Sequence, residues 1–219
     1  MRYWSQRGPK VIVLDGSAKP IDSAHLDTVG ANVRYIHKAT GMYDRLRYAI
    51  DLVETDYVAL AGDDEFYLPS TVAACVSSLD ADGELVACCG RALGFRVSDG
   101  RVLGREQYPR LADYEITQAD PAARVTAHMG DCVPSMIYAV CRTPIWQECF
   151  RHITKREFRV FAIGELQFEM MMSFAGKSKV LPRLMWLRSH GETAPVRGTD
   201  PSLNSSSRFP DWYTKAGNL

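Results

Sequence analysis

The chain contains 219 residues, of which 46% are hydrophobic and 24% are charged, a composition typical of a globular domain with a substantial core. Lysine and arginine together number 26, as do aspartate and glutamate, so the formal net charge is zero and gives no sign of binding to nucleic acid or to an anionic membrane. No apolar run approaches the roughly 20 residues of a transmembrane segment, and the first residues lack the apolar stretch of a signal peptide, so we expect a cytoplasmic protein.

The cysteines show no metal-binding spacing and lie mostly within apolar runs. The six are Cys75, Cys88, Cys89, Cys132, Cys141 and Cys149. Zinc sites usually present CxxC pairs, whereas a free cysteine packs as a small apolar residue. We therefore expect these cysteines in the core of a protein from a reducing compartment.

Strands and helices are predicted to alternate through the first part of the chain. Residues 10–20 contain an apolar, β-branched run that ends in a turn at 15–17, and residues 32–39 form a second candidate strand. Apolar residues at helical spacing predict a helix over 43–54, and residues 56–62 predict a third strand.

A second helix and a hairpin follow. After Pro69, residues 72–79 repeat the helical spacing, and residues 84–93 predict a strand. Residues 94–104 predict a hairpin that turns on Asp99 and Gly100. This alternation is typical of an α/β domain with a mostly parallel central sheet flanked by helices.

The second half of the chain is less regular, and the polar residues 108–131 are assigned to no element. The remaining predictions are a strand over 134–143, a short helix over 144–153, a helix over 164–176 and a strand over 179–190. Residues 191–219 are rich in Gly, Pro, Ser, Thr and Asn, which predicts a long loop or a disordered tail.

Three consecutive acids, Asp63, Asp64 and Glu65, follow the apolar strand at 56–62. In an open α/β sheet, ligands bind beyond the carboxyl ends of the strands, which places these acids and Asp15 at one edge. Adjacent carboxylates repel one another, and a divalent cation relieves that repulsion. The pattern therefore favours a Mg²⁺ or Mn²⁺ site, with a solvated turn before the next helix as the alternative.

The segments VIVLDGS, GMYDRLRYAIDLVETDYVALAGDDEF and LPSTV resemble, in their order and spacing, the donor-binding half of GT-A glycosyltransferases of family 2. The resemblance implies a GT-A-like, Rossmann-like fold and transfer of a sugar from a nucleotide-diphosphate donor, expected to be a UDP-sugar, with Mn²⁺ or Mg²⁺. The acceptor would be a sugar, a glycan or a lipid-linked molecule. It also implies a single domain with a nucleotide-sugar-binding half at 10–95, an acceptor half at 96–190 and a tail or lid at 191–219.

The same resemblance assigns the turn after the first strand to the nucleotide base. Asp15 would contact the base, while Gly16 and Ser17 would shape the turn around it. Three nearby cations would add positive charge for the diphosphate or would simply face solvent: Lys38, Arg45 and Arg47.

The acidic trio resembles the DXD motif of these enzymes. Asp63 would contact the ribose, and Asp64 and Glu65 would bind the metal that bridges the diphosphate. Two registers remain open, because the motif begins either at Asp63 or at Gly62, which would then replace its first acid. The resemblance implies that Asp64 and Glu65 would be metal ligands in both registers.

An inverting transferase also needs a base that removes the proton of the acceptor hydroxyl. In family 2 enzymes this base is often the Asp of a GED-like motif, which Gly164-Glu165-Leu166 resembles. Leu166 stands at the position of that Asp, so Glu165 becomes the candidate catalytic base, with Glu169 one turn further along the same helix face. The alternative for Glu165 is a favourable interaction with the helix dipole.

Further residues of the acceptor half are assigned by their place in the same order. His190 would supply another metal ligand, and His128 and Asp131 would line the acceptor pocket. Leu166, Met170 and Phe174 are spaced by four residues, which predicts that they belong to the core face of their helix.

A second function stays open. GT-A domains usually begin with a strand and a turn, and then a helix that leads to the strand ending in the DGS-like turn. The residues before Lys10 resemble only the end of that helix, so we expect the first strand to be missing. That feature and Leu166 favour a catalytically inactive module that binds a nucleotide sugar or supports an assembly. The intact acidic trio favours the enzyme.

Overall fold

The computed structural model describes residues 1–5, 7–130, 135–158 and 160–190. Its strands are β1 (Val11–Asp15), β2 (Val33–His37), β3 (Tyr57–Val58), β4 (Glu65–Tyr67), β5 (Leu85–Ser98), β6 (Arg101–Gln107), β7 (Glu115–Ile116), β8 (Val140–Arg142) and β9 (Lys177–Ser189). Its helices are α1 (Ser23–Leu26), α2 (Met42–Leu52), α3 (Pro69–Ala81), α4 (Pro121–Gly130), α5 (Thr143–Ile153) and α6 (Phe161–Ala175). Short 3₁₀ segments lie at Arg2–Trp4, Pro109–Leu111 and Met136–Tyr138.

The strands form two sheets. β1 and β2 pair in parallel as a two-stranded sheet, and the other seven strands form a second sheet along the path β3-β8-β5-β9-β4, with β6 beside β5 and β7 beside β9. In the larger sheet β5 and β9 pair in parallel, while the other pairs between described strands are antiparallel.

The predicted α/β sheet flanked by helices is confirmed, but the prediction that it is mostly parallel is wrong for the larger sheet. Four of its antiparallel pairs join strands that lie far apart in the chain, and the fifth, β5 with β6, is a hairpin, whose tight turn forces antiparallel pairing. In this turn Asp99 and Gly100 both have positive φ, at 51° and 70°, the conformation that a two-residue hairpin requires.

The two faces of the larger sheet are covered by different elements. Side chains alternate between the faces along β9. Met185 faces α3, where its Sδ lies 3.9 Å from Cys75 Sγ. Trp186 faces the opposite way and packs edge-on against Tyr138, with ring centroids 4.9 Å apart, and α6 packs against that 3₁₀ segment.

The prediction that the cysteines lie in the core is confirmed for those that the structure describes. Cys75, Cys88, Cys89, Cys141 and Cys149 are all buried and have free thiols. Cys132 lies outside the described residues. None of the described helices is both long enough and apolar enough to cross a membrane.

Several element boundaries differ from the sequence predictions. The strand predicted over 56–62 is reduced to β3, and the predicted strand over 134–143 divides into a 3₁₀ segment and β8. The unassigned residues 108–131 contain β7 and α4, and α6 begins at Phe161, before Gly164. Among the described residues before β1, a 3₁₀ segment is present and no strand.

Candidate active site

Asp15 ends β1 and organises the turn that follows. Its carboxylate accepts hydrogen bonds from the Tyr35 hydroxyl and, at 2.8 Å, from the Ser17 backbone N–H. These bonds, that of Tyr35 first, lower the pKa of Asp15 to about 2. His37 Nε2 lies 2.8 Å from the Ser17 carbonyl oxygen, so the turn is also tied to β2. An ionised, acceptor-only carboxylate therefore sits at the edge of the smaller sheet.

Gly16 provides room for a cation. A Cβ atom added at this position would overlap the guanidinium of Arg45, which donates a hydrogen bond to the Thr40 carbonyl oxygen. Only the absence of a side chain at Gly16 lets Arg45 lie against the turn. Of the other predicted cations, Arg47 pairs with Asp44, and Lys38 lies over the Tyr48 ring at 4.8 Å.

The acidic trio is divided between a turn and a strand. Asp63 is exposed, and Asp64 is partly buried, with its backbone oxygen accepting a 2.8 Å hydrogen bond from the Ser189 N–H of β9. The side-chain Oδ1 of Asp64 is buried and has no hydrogen-bond partner among the described residues. Because a buried carboxylate oxygen is costly without a partner, Asp64 is suited to accept a ligand.

Glu65 is bound to protein groups on both carboxylate oxygens. Oε1 accepts bonds from Nε and Nη2 of Arg188, with Nε at 3.0 Å, and Oε2 accepts the Gly62 N–H at 2.8 Å. The side chain is fully buried. The register of β4 and β9 places Glu65 directly opposite Arg188.

Arg188 extends this buried pair towards two tyrosines. Its Nη1 donates a 3.2 Å hydrogen bond to the Tyr108 hydroxyl, and its guanidinium lies 5.0 Å from the centre of the Tyr138 ring. Sequence reasoning missed Arg188 because its pairing depends on antiparallel contact between strands far apart in the chain. The only signal in the sequence was Glu65 itself, an acid close to the end of a predicted buried strand, where a carboxylate needs a cation as partner.

The three predicted metal ligands do not converge in the structure. Among the described residues, no group of three or more His, Cys, Asp or Glu side chains is arranged to hold a metal ion. His190 Nε2 lies 3.0 Å from Gln107 Oε1, and Glu65 is occupied by Arg188. Asp64 alone offers a free oxygen, so the metal role of all three residues stays a prediction.

Glu165 lies in the second turn of α6 and is partly buried. Burial raises the pKa of the Tyr138 hydroxyl, and the negative charge of Glu165 raises it further. Since the Tyr138 ring also contacts Arg188, the candidate base and the buried pair beneath the acidic turn lie on the same face of the larger sheet. Because α6 begins at Phe161, Glu165 lies outside its first turn, where an acid would interact favourably with the helix dipole.

Glu169 and His128 have structural roles instead of facing a pocket. Both are fully buried, and the Glu169 carboxylate accepts hydrogen bonds from His128 Nε2 at 2.9 Å and from the Met136 and Ile137 N–H groups. The Tyr114 hydroxyl contacts the other ring nitrogen of His128. The predicted acceptor-pocket role of His128 is therefore wrong, and Asp131 lies outside the described residues.

The interpretation of Met170 and Phe174 as helix core is also wrong. Met170 is 45% exposed and Phe174 is 60% exposed. The core face of α6 is instead formed by Phe168 and Met172, which alternate with the exposed positions around the helix.

Similarity to known proteins agrees with this arrangement. The sequence model described as Glycosyl transferase family 2 matches residues 9–138, which include the Asp15 turn and the acidic turn. The crystal structure of S. aureus TarS, residues 1–349, matches with a TM-score of 0.52 and 13% identity over 86% of this chain and 54% of that chain. This chain therefore spans about half of the TarS structure, and the likeness indicates a GT-A fold. Among curated proteins, none matches the sequence.

Proposed function

Since the chain belongs to glycosyltransferase family 2, we propose that it transfers a sugar from a nucleotide-diphosphate donor, a UDP-sugar, to an acceptor hydroxyl. The observation that carries this proposal is the acidic turn, where Asp64 keeps a buried oxygen without a partner among the described residues. This turn lies beside the carboxyl end of β9, because Ser189 is bonded to Asp64. Ligands of α/β sheets bind at such an edge.

The Asp15 turn would hold the nucleotide base. Its carboxylate, with a pKa of about 2, stays ionised at neutral pH and accepts a hydrogen bond from a base N–H such as that of uracil. Ser17 would complete the turn, and the Arg45 guanidinium above Gly16 would supply positive charge for the diphosphate. Asp63, which is exposed, would contact the ribose.

A divalent metal would be held first by Asp64, whose free oxygen fits a hard cation. Such an ion supplies charge neutralisation for the departing diphosphate. Glu65 could bind the metal only after its ion pair with Arg188 had broken. His190 could bind it only after its contact with Gln107 had broken. The residues present therefore fit a metal through Asp64, with Glu65 and His190 as conditional ligands.

The transfer step assigns Glu165 as the base. The acceptor oxygen would attack the anomeric carbon while the bond from that carbon to the diphosphate oxygen breaks, and Glu165 would take the hydroxyl proton. Its partly buried position on the face shared with Arg188 and Tyr138 supports this role.

The experiment combines binding and turnover. We expect Asp64→Asn to weaken UDP binding in the presence of Mn²⁺ about tenfold, because one charged ligand is lost, whereas Asp51→Asn, an exposed acid on α2, should leave it unchanged. Calorimetry measures both. Equal affinities for the two variants would contradict the proposed donor site.

The inactive module is the second candidate, favoured by the engagement of Glu65 with Arg188. Release of UDP from a panel of UDP-sugars distinguishes it. The enzyme releases UDP, and Glu165→Gln should lower kcat about a hundredfold or more while preserving donor affinity. Donor binding by the wild type without any UDP release would favour the module.

A further inference from the structure

The β5–β6 hairpin extends beyond the rest of the larger sheet. β5 pairs with β9 as far as Phe95 opposite Ser189, and beyond that point it pairs only with β6 among the described strands. At about 3.3 Å per residue, the tip projects roughly 10 Å past the sheet edge. The acidic turn lies at the same edge, because Asp64 is bonded to Ser189.

Three arginines lie on one face of this hairpin. Arg96 is opposite Leu103, Arg105 is opposite Gly94, and Arg101 is two residues from Leu103, so alternation along the strands places all three on one side. All are exposed, and none forms a hydrogen bond or ion pair with another described residue. Between Arg96 and Arg105 the sequence contains a single acid, Asp99.

The hairpin tip is also apolar. Val97 and Val102 face each other across the two strands and are 60% and 70% exposed, while Leu103 is 46% exposed on the arginine face. Val102 is the most exposed large hydrophobic side chain that the structure describes. Apolar side chains at this exposure commonly mark a contact surface when they occur together.

One kind of partner accounts for both properties. Charged side chains often protect the edge of a sheet from pairing, and a soluble anion would pair with arginines, but neither explains the exposed valines and Leu103. An anionic lipid surface offers phosphate groups for the guanidiniums and an apolar layer for the tip. Arginine suits this position because its stem is apolar and its head binds phosphate.

We propose that the tip of the β5–β6 hairpin docks this protein on the surface of an anionic membrane. Docking would bring the edge that carries the acidic turn towards the bilayer, within reach of an acceptor carried by a lipid. The net charge of the whole chain is zero, so overall composition does not indicate this site. A membrane surface is attracted by a local cluster of positive charge, whatever the net charge of the protein.

The test is co-sedimentation of the full chain with lipid vesicles at low salt. The wild type should bind vesicles that contain phosphatidylglycerol and should bind pure phosphatidylcholine vesicles far more weakly. Replacing Arg96, Arg101 or Arg105 by Gln should weaken binding about fivefold each, and the triple variant about a hundredfold. The double variant Val97→Ser and Val102→Ser should weaken it about tenfold.

Matched controls lie on other surfaces. Arg34→Gln removes an exposed arginine of β2, and Met170→Ser removes an exposed apolar side chain of α6, so both should bind like the wild type. Equal binding to the two kinds of vesicle, or no loss in the arginine or valine variants, would overturn the proposal. Arginine-dependent binding of soluble polyphosphate without vesicle binding would also overturn it. No donor sugar is used, so the result is independent of the proposed transfer.

Discussion

Gly16 is the position at which one methyl group would disturb the proposed donor site. A Cβ there would occupy the volume of the Arg45 guanidinium, which must then shift away from its position against Gly16. We expect Gly16→Ala to weaken UDP binding about tenfold, through loss of a charge-assisted interaction with the diphosphate. Calorimetric titration with UDP measures this change.

The control for that variant is Gly41→Ala. Gly41 precedes α2, where an added Cβ meets no atom within 4 Å, so donor affinity should stay at the wild-type value. If Gly16→Ala also bound UDP normally, Arg45 would have no part in donor binding.

The ion pair between Glu65 and Arg188 is expected to stabilise the sheet beneath the acidic turn. Arg188→Met would leave a fully buried carboxylate without its cation, and the free energy of unfolding should fall by about 3 kcal/mol. Adding Glu65→Gln to that variant should restore part of the loss, because the unpaired charge is removed. Urea denaturation measures all three proteins.

An exposed ion pair supplies the comparison. Arg91 pairs with Glu106 where both side chains are about 40% exposed, so Arg91→Met should cost less than about 1 kcal/mol. A loss in Arg188→Met no larger than in Arg91→Met would show that the buried pair does not hold the strands.

At the scale of elements, Glu169 connects α6 to two neighbouring segments. Through His128 it binds α4, and through two backbone N–H groups it binds the 3₁₀ segment Met136–Tyr138. That segment carries Tyr138, and α6 carries Glu165, so the arrangement fixes the acceptor side of the proposed site. A buried carboxylate that accepts several bonds is therefore the joint between these elements.

Glu169→Gln should loosen this joint. The amide group would turn a donor towards backbone or His128 donors, and the free energy of unfolding should fall by about 2 kcal/mol. Glu148→Gln, on the exposed surface of α5 beside His152, should change it by less than about 0.5 kcal/mol. Urea unfolding with equal losses in the two variants would contradict the role of Glu169.

At the scale of the whole molecule, the two sheets are not equally supported. β5 lies inside the larger sheet with partners on both sides, whereas β1 pairs with β2 alone among the described strands, and its residues are only partly buried. We expect the β1 amides to exchange with solvent deuterium about a hundredfold faster than those of β5 at 87–93. Hydrogen exchange followed by mass spectrometry measures this, and equal protection would contradict it.

The same scale explains how much of the fold could be predicted. β1, β2, α2 and α3 were predicted closely because each has a strong local period and a clear ending such as Pro69. β7 and α4 were missed because their sequences are short or polar, and β7 depends on pairing with β9. Local pattern cannot supply a partner that lies far along the chain.

The candidate site was predicted in the same uneven way. The Asp15 turn and the acidic turn follow from local sequence, and the structure adds what long-range contact alone decides. Arg188 opposite Glu65 is one such contact, and His128 against Glu169 is another. The arginine face of the hairpin could not be predicted from the net charge, because it depends on the register of β5 and β6.

The pairing of β4 with β9 has a consequence for biosynthesis. Glu65 and its neighbours leave the ribosome early, but the strand that holds them ends at Ser189. At about 10 residues per second, the acidic turn waits roughly 10 s for its partner strand. During that interval Glu65 has no Arg188 to pair with, so the acidic turn reaches its folded form only after β9 has been synthesised.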